Sequence, residues 1–182
     1  MRPIQICLVV LALMGTGPSR AETVPEPQGY REDGYRAPTP ATLAGATVLD
    51  GKALLDLITH EPVVLIDTMP EPPRPPDLKP GVYWQAPRRS NIPGSVWLAN
   101  TGYGVLSEEM AAYFDASLER LSLGDPGRKL VFYCEPNCWM SWNAAKRAIT
   151  LGYEQVYWYP GGAEGWRAEG HALMPTAPIP VD

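Results

Sequence analysis

Three mainly apolar runs constrain the fold of this chain more than any other feature. They are Val63–Asp67, Lys129–Tyr133 and Gln155–Tyr159. Runs without polar alternation are typical of strands that are buried on both faces of a parallel sheet. Segments with helical spacing lie between them. This alternation predicts an α/β fold built from right-handed βαβ units, with helices covering both faces of the sheet.

Four helices are expected around these strands. Apolar residues recur at helical intervals in Asp50–Ile58 and in Ser107–Leu121, where the serine is predicted to cap the helix. A third helix is predicted from about Ser141 to Leu151, and a short one around Trp166. Together with the apolar runs, they assign residues 47–182 to one domain.

Proline is the next constraint, with 21 among 182 residues against a usual share of about 5%. The segment 70–93 is so rich in proline that we expect a long surface loop without regular elements. Residues 22–46 are polar and spaced by proline and glycine, which predicts an extended N-terminal arm. Its repeated Gly29-Tyr30-Arg31 and Gly34-Tyr35-Arg36 favour an arm that lies on the domain over a tail that packs nowhere.

The first 21 residues have the pattern of a secretory signal peptide. Arg2 precedes the apolar run Ile4–Met14, and the small residues Ser19 and Ala21 stand at positions −3 and −1 of a cleavage site. The run is too short to span a hydrocarbon core of about 30 Å. We therefore expect cleavage before Glu22, export to the periplasm and no membrane attachment afterwards.

Cleavage changes the charge and the cysteine count. Loss of Arg2 and Arg20 takes the formal net charge from −5 to −7, which argues against a nucleic-acid partner. Cys7 leaves as well, so Cys134 and Cys138 are the cysteines of the mature chain. In an oxidising compartment, thiols persist only if they are protected or cycled.

Cys134 is the main candidate for chemistry. It follows a predicted strand, and ligands of open α/β sheets bind beyond the carboxyl ends of strands. A tight loop leading into a helix can direct backbone N–H groups at the sulfur and lower the pKa of the thiol, which makes it nucleophilic. The alternative is an inert buried cysteine. The second thiol, four residues further on, favours the functional interpretation.

The chain resembles a rhodanese homology domain over roughly residues 45–176. The resemblance rests on Val63–Asp67, Ile92-Pro93-Gly94-Ser95, Leu130–Cys134, Asn143–Ala148 with Leu151-Gly152-Tyr153 and Val156-Tyr157, and Gly161-Gly162 with Trp166. More specifically, Cys134–Trp139 followed by Met140-Ser141-Trp142-Asn143 resembles the exported PQQ-dependent catabolism-associated CXXCW motif proteins. Those proteins are associated with quinoprotein alcohol oxidation and alcohol transport.

This resemblance implies a central, mostly parallel five-stranded sheet with helices on both faces, and a catalytic Cys134. The cysteine would accept sulfane sulfur as a persulfide and pass it to a thiophilic acceptor. Backbone amides of the following loop would cradle the persulfide. The active-loop and substrate-binding candidates are Glu135, Pro136, Asn137, Trp139, Met140, Ser141, Trp142 and Asp67.

Two departures from the family concern arginine. The loop is expected to be one residue longer than in an ordinary rhodanese and holds no arginine before Ser141, which also argues against the oxyanion chemistry of related phosphatases and arsenate reductases. Asp67 is followed by Thr68 and Met69, where the family commonly has an arginine that braces the loop. Arg88-Arg89 could guide anions to the sulfur site or form a solvated pair.

The role of Cys138 stays open among three alternatives. It could resolve an oxidised or persulfidated Cys134 by forming a disulfide, it could be secondary to persulfide transfer, or the pair could be an inert disulfide. A c-type haem is excluded because Trp139 stands where a histidine is required. His60 and His171 add too little to the cysteines for a zinc site. We expect neither a metal nor another cofactor.

Two hypotheses follow for function. The first is an exported protein that handles sulfane sulfur or thiol–disulfide redox through Cys134, with Cys138 as the resolving cysteine. Its substrate would be a small sulfur-containing compound or a thiol, in support of PQQ-dependent alcohol catabolism. The second is a non-enzymatic periplasmic module that binds a quinoprotein dehydrogenase, its cofactor, an alcohol or a transport partner.

Overall fold

The computed structural model describes residues 24–85 and 87–181, so the predicted signal peptide lies outside the described residues. The main sheet has five parallel strands. In spatial order they are β1 (Ala46–Val48), β6 (Val156–Tyr159), β5 (Lys129–Tyr133), β2 (Val63–Asp67) and β4 (Val96–Trp97). The buried runs of β2 and β5 therefore lie side by side in the sheet centre.

Four helices cover the sheet on both faces. They are α1 (Gly51–His60), α2 (Glu108–Ser122), α3 (Trp139–Thr150) and α4 (Gly162–Ala168). Side chains alternate between the faces along β5, as the pleat requires. Phe132 packs with α2 and α3, whereas Tyr133 packs with α1 and α4. The predicted α/β fold with helices on both faces is confirmed.

Helix ends follow local sequence signals. The Asp50 carboxylate accepts a hydrogen bond from Ala53 N at 2.8 Å, and the Ser107 hydroxyl accepts one from Met110 N at 3.2 Å. Both bonds satisfy an amide of the first helical turn that has no partner within the helix. Ser107 caps its helix as predicted.

Three expectations for secondary structure were wrong. The proline-rich segment contains β3 (Arg89–Asn91), which pairs antiparallel with β7 (Met174–Thr176). Ala46–Val48 forms an edge strand where the arm was expected to end. Pairings with distant parts of the chain create both strands, and local patterns do not report such pairings. Helix α3 begins two residues earlier than Ser141 because the preceding loop turns more tightly than expected.

Within residues 24–85 and 87–181, the helices are too short or too polar to cross a membrane.

Candidate active site at the cysteine loop

The carboxyl end of β5 places Cys134 at the start of a tight loop. Asn137 has a φ of 56°, a left-handed conformation that asparagine tolerates better than most residues. Cys138 is the N-cap of α3, and the helix begins at Trp139. The loop is therefore shorter than the sequence predicted, because the turn at Asn137 brings the second cysteine to the helix start.

The two thiols lie together in a buried cluster. Cys134 is fully buried and Cys138 is 2% exposed, and both are free cysteines in one cluster. Cys134 Sγ also donates to Met69 Sδ at 3.4 Å. Met140 belongs to the same cluster, and Tyr35 and Tyr103 pack against it. The surroundings of the pair are thus mainly apolar.

These surroundings shift the pKa values of the two thiols in opposite directions. Burial raises the pKa of Cys134, and the neighbouring Cys138 raises it further. The pKa of Cys138 is lowered, chiefly by the hydrogen bond from Cys134 and also by the backbone N–H of Met140 and the charge of Arg36, although burial opposes this. These directions make Cys138 the more acidic of the two thiols.

Arg89 braces the loop from β3. Its Nε donates to Asp67 Oδ2 at 2.6 Å, and its Nη2 donates to the carbonyl oxygen of Cys134 at 2.9 Å. The guanidinium thus connects the end of β2 to the start of the loop. The loop is thus braced by an arginine although Thr68 and Met69, and no arginine, directly follow Asp67. Arg88 is exposed and lines a cleft of about 270 Å³ together with Arg89 and Met69.

Asp67 is a buried carboxylate at the end of β2. Burial raises its pKa to about 6, although Arg89 and the hydrogen bond from Met69 N, at 2.8 Å, act in the opposite direction. The side chain is fully buried and supports the loop through Arg89. The prediction that Asp67 belongs to the substrate pocket stays a prediction.

The first residues of α4 support the loop from the other side. Ala163 N donates to the Cys134 carbonyl at 3.1 Å. Gly162 has a φ of +61°, and a Cβ at this position would lie 2.3 Å from Glu135 Cα and 2.7 Å from the Cys134 carbonyl oxygen. Only glycine fits such a close approach without displacing the loop.

The N-terminal arm covers the loop. Residues 24–45 of the arm precede β1, and Arg36 forms an isolated antiparallel bridge with Cys138. Ala37 N donates to Asn137 O at 3.0 Å, and Trp139 N donates to Tyr35 O at 2.9 Å. An amide expected to cradle a persulfide is therefore bonded to the arm instead. The expectation that the arm lies on the domain agrees with these contacts.

The other predicted residues divide into two groups. Glu135 is partly buried and forms an ion pair with Arg36, while Pro136 and Asn137 are exposed at the loop tip. Ser141 and Trp142 are buried residues of α3: the Ser141 hydroxyl accepts from Trp158 Nε1 at 3.1 Å, and Trp142 Nε1 donates to Thr42 O at 3.1 Å. Both residues lie within α3 and not in the preceding loop, and their expected part in substrate binding stays a prediction.

Trp139 is also buried. Its ring packs against Trp142 with centroids 5.3 Å apart, and the guanidinium of Arg31 lies 5.4 Å from its centre. It therefore contacts the arm at the helix start, on the arm-facing side of α3. Met140, by contrast, lies in the sulfur cluster, and its expected part in substrate binding stays a prediction.

The sequence did not assign Tyr35, Arg36 or Tyr103 to the site. Met69 was noted only because the resembled family commonly has an arginine after Asp67. The repeated Gly-Tyr-Arg pattern was the available signal for Tyr35 and Arg36. The second repeat lies at the cysteine loop, whereas the first places Tyr30 against Arg147, with the guanidinium 4.5 Å from the ring centre. No group of three or more His, Cys, Asp or Glu residues able to hold a metal occurs within residues 24–85 and 87–181.

Fold and site together define an α/β domain with a cysteine-centred site at the carboxyl edge of a parallel sheet. The sequence pattern of the rhodanese-like domain matches residues 50–169, and this chain belongs to that family. Among curated proteins, the comparison found no match.

Two solved structures are similar to this chain, and the first supports the fold. The chain is similar to the 3-mercaptopyruvate sulfotransferase SseA of Escherichia coli, with 20% identity and a TM-score of 0.51 over 75% of this chain and 54% of that one. It is also similar to a thiosulfate sulfurtransferase of Pseudomonas aeruginosa, with 16% identity and a TM-score of 0.47 over 73% of this chain and 21% of that one. The chain thus spans about one fifth to one half the length of these two proteins.

Proposed function

We propose that this protein handles sulfane sulfur by cycling Cys134 and Cys138 between dithiol, persulfide and disulfide. The supporting observation is the pair of free thiols in one buried cluster, with Cys134 at the carboxyl end of β5 and Cys138 at the start of α3. Thiol–disulfide chemistry needs one thiolate and one neighbouring sulfur within reach. Membership of the rhodanese-like family supports sulfur as the transferred element.

The proposed reaction starts with a persulfide donor RS–SH. Cys138 thiolate accepts the proton of Cys134, and the Cys134 sulfur attacks the outer sulfur of the donor. The donor's S–S bond breaks, RS⁻ leaves, and Cys134 carries S–SH. The bond made and the bond broken are both S–S bonds, so this step involves no net oxidation.

Cys138 then resolves the persulfide. Its sulfur attacks Cys134 Sγ, the outer sulfur leaves as hydrogen sulfide with the two protons, and a Cys134–Cys138 disulfide forms. The two thiols lose two electrons, which reduce the sulfane sulfur to sulfide. An external thiol reductant returns the pair to the dithiol state.

The test combines sulfide release with intact mass after the reduced protein meets a persulfide donor. The unaltered pair should release one sulfide per chain and lose about 2 Da as the disulfide forms. Cys138→Ser should keep about 32 Da as a persulfide and release no sulfide. Cys134→Ser should do neither. If Cys134→Ser carried the persulfide as well as the unaltered protein does, the proposed roles would be wrong.

We also propose export to the periplasm and a link to PQQ-dependent alcohol catabolism, with a quinoprotein dehydrogenase or transport system as partner. The signal-like residues 1–21 and the CXXCW resemblance support these proposals. Amino-terminal sequencing of the protein from a periplasmic fraction should begin at Glu22. A chain that retains Met1 in the cytoplasm would contradict the proposed location.

An accessory binding role is the second candidate. The proline-rich loop favours it, because Tyr83 is 83% exposed and Val82 is 46% exposed there. A non-enzymatic module should capture its partner equally well after Cys134→Ser and Cys138→Ser are combined. A pulldown from periplasmic extract with this double variant, beside the unaltered protein, distinguishes the two candidates.

A further inference from the structure

The arm places one charged residue directly opposite the second cysteine. Arg36 and Cys138 are bridge partners, and the flanking bonds are Ala37 N to Asn137 O and Trp139 N to Tyr35 O. Because both bonds join backbone atoms, the alignment of arm and loop does not depend on the Arg36 side chain.

The Arg36 guanidinium lies at the edge of the sulfur cluster. It forms an ion pair with Glu135, and its Nη2 lies 4.0 Å from Met69 Sδ. Met69 Sδ in turn accepts the hydrogen bond from Cys134 Sγ. The Arg36 side chain is 59% exposed and that of Glu135 is 13% exposed, so the cation lies between solvent and the buried thiols.

We propose that Arg36 is a positioning residue that keeps the negative charge of the cysteine pair on Cys138. The contacts of both cysteines agree with this assignment. Cys134 Sγ donates to Met69 Sδ at 3.4 Å, and because a thioether sulfur can only accept, this contact describes a protonated thiol. Cys138 is the N-cap of α3 and the bridge partner of Arg36, so the helix N-terminus and the arm cation both favour a thiolate there.

Several other charges act on the pair and set the size of the expected effect. They come from the loop, from β2 and from β3, and they are Cys134, Glu135, Asp67 and Arg89. Asp67 opposes a charge on either sulfur, and Arg89 favours one on Cys134. Arg36 is the cation that lowers the pKa of Cys138, so its removal should be felt at that sulfur.

This inference deepens the proposed function, on which it rests for its chemical meaning. A thiolate at Cys138 is both the base that accepts the Cys134 proton and the nucleophile that later attacks the persulfide. A domain without the arm cation would lose this bias. The arm then covers the site and, through Arg36, also favours the thiolate at Cys138.

The test uses opposite charge changes within one ion pair. In a Cys134→Ser background, the pKa of Cys138 is read from thiolate ultraviolet absorbance, with the double serine variant subtracted. Arg36→Met should raise this pKa by about half a unit to one unit, below the roughly 1–3 units of a close, buried partner. Glu135→Gln should lower it by a similar or smaller amount, because it leaves the cation without its carboxylate.

The opposite signs of the two expected pKa shifts distinguish an electrostatic effect of Arg36 from a structural effect of the ion pair. Both substitutions break the same ion pair, so a structural role for that pair predicts shifts in one direction. Arg36→Lys keeps the positive charge, so the pKa of Cys138 should stay close to its value with Arg36 in place. Arg31→Met is the matched control, because Arg31 lies on the same arm but over Trp139 and beside Asp33. It should leave the pKa of Cys138 unchanged.

An unchanged or lowered pKa in Arg36→Met would overturn the proposal, and so would a raised pKa in Glu135→Gln. Should Arg36→Met fail to fold, the Glu135→Gln and Arg36→Lys results decide the question. The titration requires no sulfur donor. If the expected pKa shifts do not occur but the protein still resolves a persulfide, only the role of Arg36 is refuted. If the pKa shifts occur but no persulfide is resolved, only the proposed function is refuted.

Discussion

The arm and the proline-rich loop are both rich in proline and both approach the cysteine site, yet they are held in different ways. The arm is bonded along its length to α3. Lys146 Nζ donates to the carbonyls of residues 27, 28 and 29 at 2.9, 2.9 and 3.0 Å. In the proline-rich loop (residues 70–88), Arg74 donates to the carbonyls of Lys79 and Val82, which belong to the loop itself.

The difference teaches that donors from outside decide where a proline-rich segment lies. Proline lacks a backbone N–H, so such segments offer mainly carbonyl oxygens. Helix α3 supplies the matching donors to the arm through Lys146 and Asn143. Arg147 of the same helix donates in the same way to the segment between β4 and α2, at the carbonyls of residues 101, 103 and 104. The loop is anchored at its end, where β3 carries Arg89 to Asp67.

The largest effect on stability is expected at Arg89, which anchors the end of the proline-rich loop. Arg89→Met would leave the Asp67 carboxylate buried without its cation, and breaking a buried pair costs about 3–5 kcal/mol. Urea unfolding at neutral pH should show this loss in the free energy of unfolding. A loss below about 1 kcal/mol would mean that Arg89 does not anchor the loop in solution.

The same variant has a predicted pH dependence. Burial raises the pKa of Asp67 to about 6 from its ordinary 3.8, so the native state binds the proton more tightly than the unfolded state does. The contribution of Asp67 to stability is therefore fully present below about pH 4 and is lost as the pH rises towards 6. Without Arg89 the pKa should rise further. The gap between Arg89→Met and the unaltered protein should hence shrink as the pH falls from 7 to 5.

An intermediate effect is expected where the arm meets α3. Asn143 is fully buried, its Oδ1 accepts from Arg31 N at 2.9 Å, and its Nδ2 donates to Arg31 O at 2.8 Å and to Gly102 O at 3.0 Å. Asn143→Ala strands these backbone groups, each costing about 1–3 kcal/mol if it stays buried. We expect a loss of about 2–3 kcal/mol in urea unfolding.

Limited proteolysis supplies the second measurement for Asn143→Ala. The substitution should accelerate cleavage within residues 24–45 more than it accelerates cleavage within the proline-rich loop of the same sample. Equal acceleration in both segments would show general destabilisation and would contradict a specific attachment of the arm at this residue.

The comparison also shows what the sequence could predict. The bounds of β2 and β5 were predicted correctly because a strand buried on both faces carries its apolar signal within itself. The pairing of β3 with β7 was not, because it depends on Ser90 meeting Pro175 from a distant part of the chain. The position of Cys134 after β5 followed from the strand pattern, so the location of the candidate site was accessible.

The sequence could not predict in the same way which segments cover the site. Arg36 and Met69 reach the sulfurs through irregular segments, whose paths depend on side-chain donors elsewhere. Asn143 and Lys146 were noted only as part of a family signature, whereas their hydrogen bonds hold the arm. A motif read along one helix gave no information about which segment that helix would bind.

A smaller effect is expected from the arm's cationic anchor. Lys146→Met keeps most of the stem that packs beside Trp142, where Nζ lies 4.9 Å from the ring centre, but it removes the donor shared by three carbonyls. Those carbonyls belong to partly exposed residues and can bind water, so we expect about 1 kcal/mol in unfolding. The arm should be cleaved faster by protease. Lys146→Arg, which retains a cationic donor, is the control and should stay closer to the unaltered protein.

The smallest effect is expected inside the proline-rich loop. Arg74 is exposed and bonds to carbonyls of the same loop, at 2.9 Å to each. Arg74→Met should change the free energy of unfolding by no more than about 0.5 kcal/mol, as is usual for surface substitutions. Cys138 thiolate absorbance should also be unchanged, because Arg74 has no part in the sulfur contacts. A loss comparable to that of Asn143→Ala would mean that the loop is held as firmly as the arm, and the contrast between the two segments would then have to be abandoned.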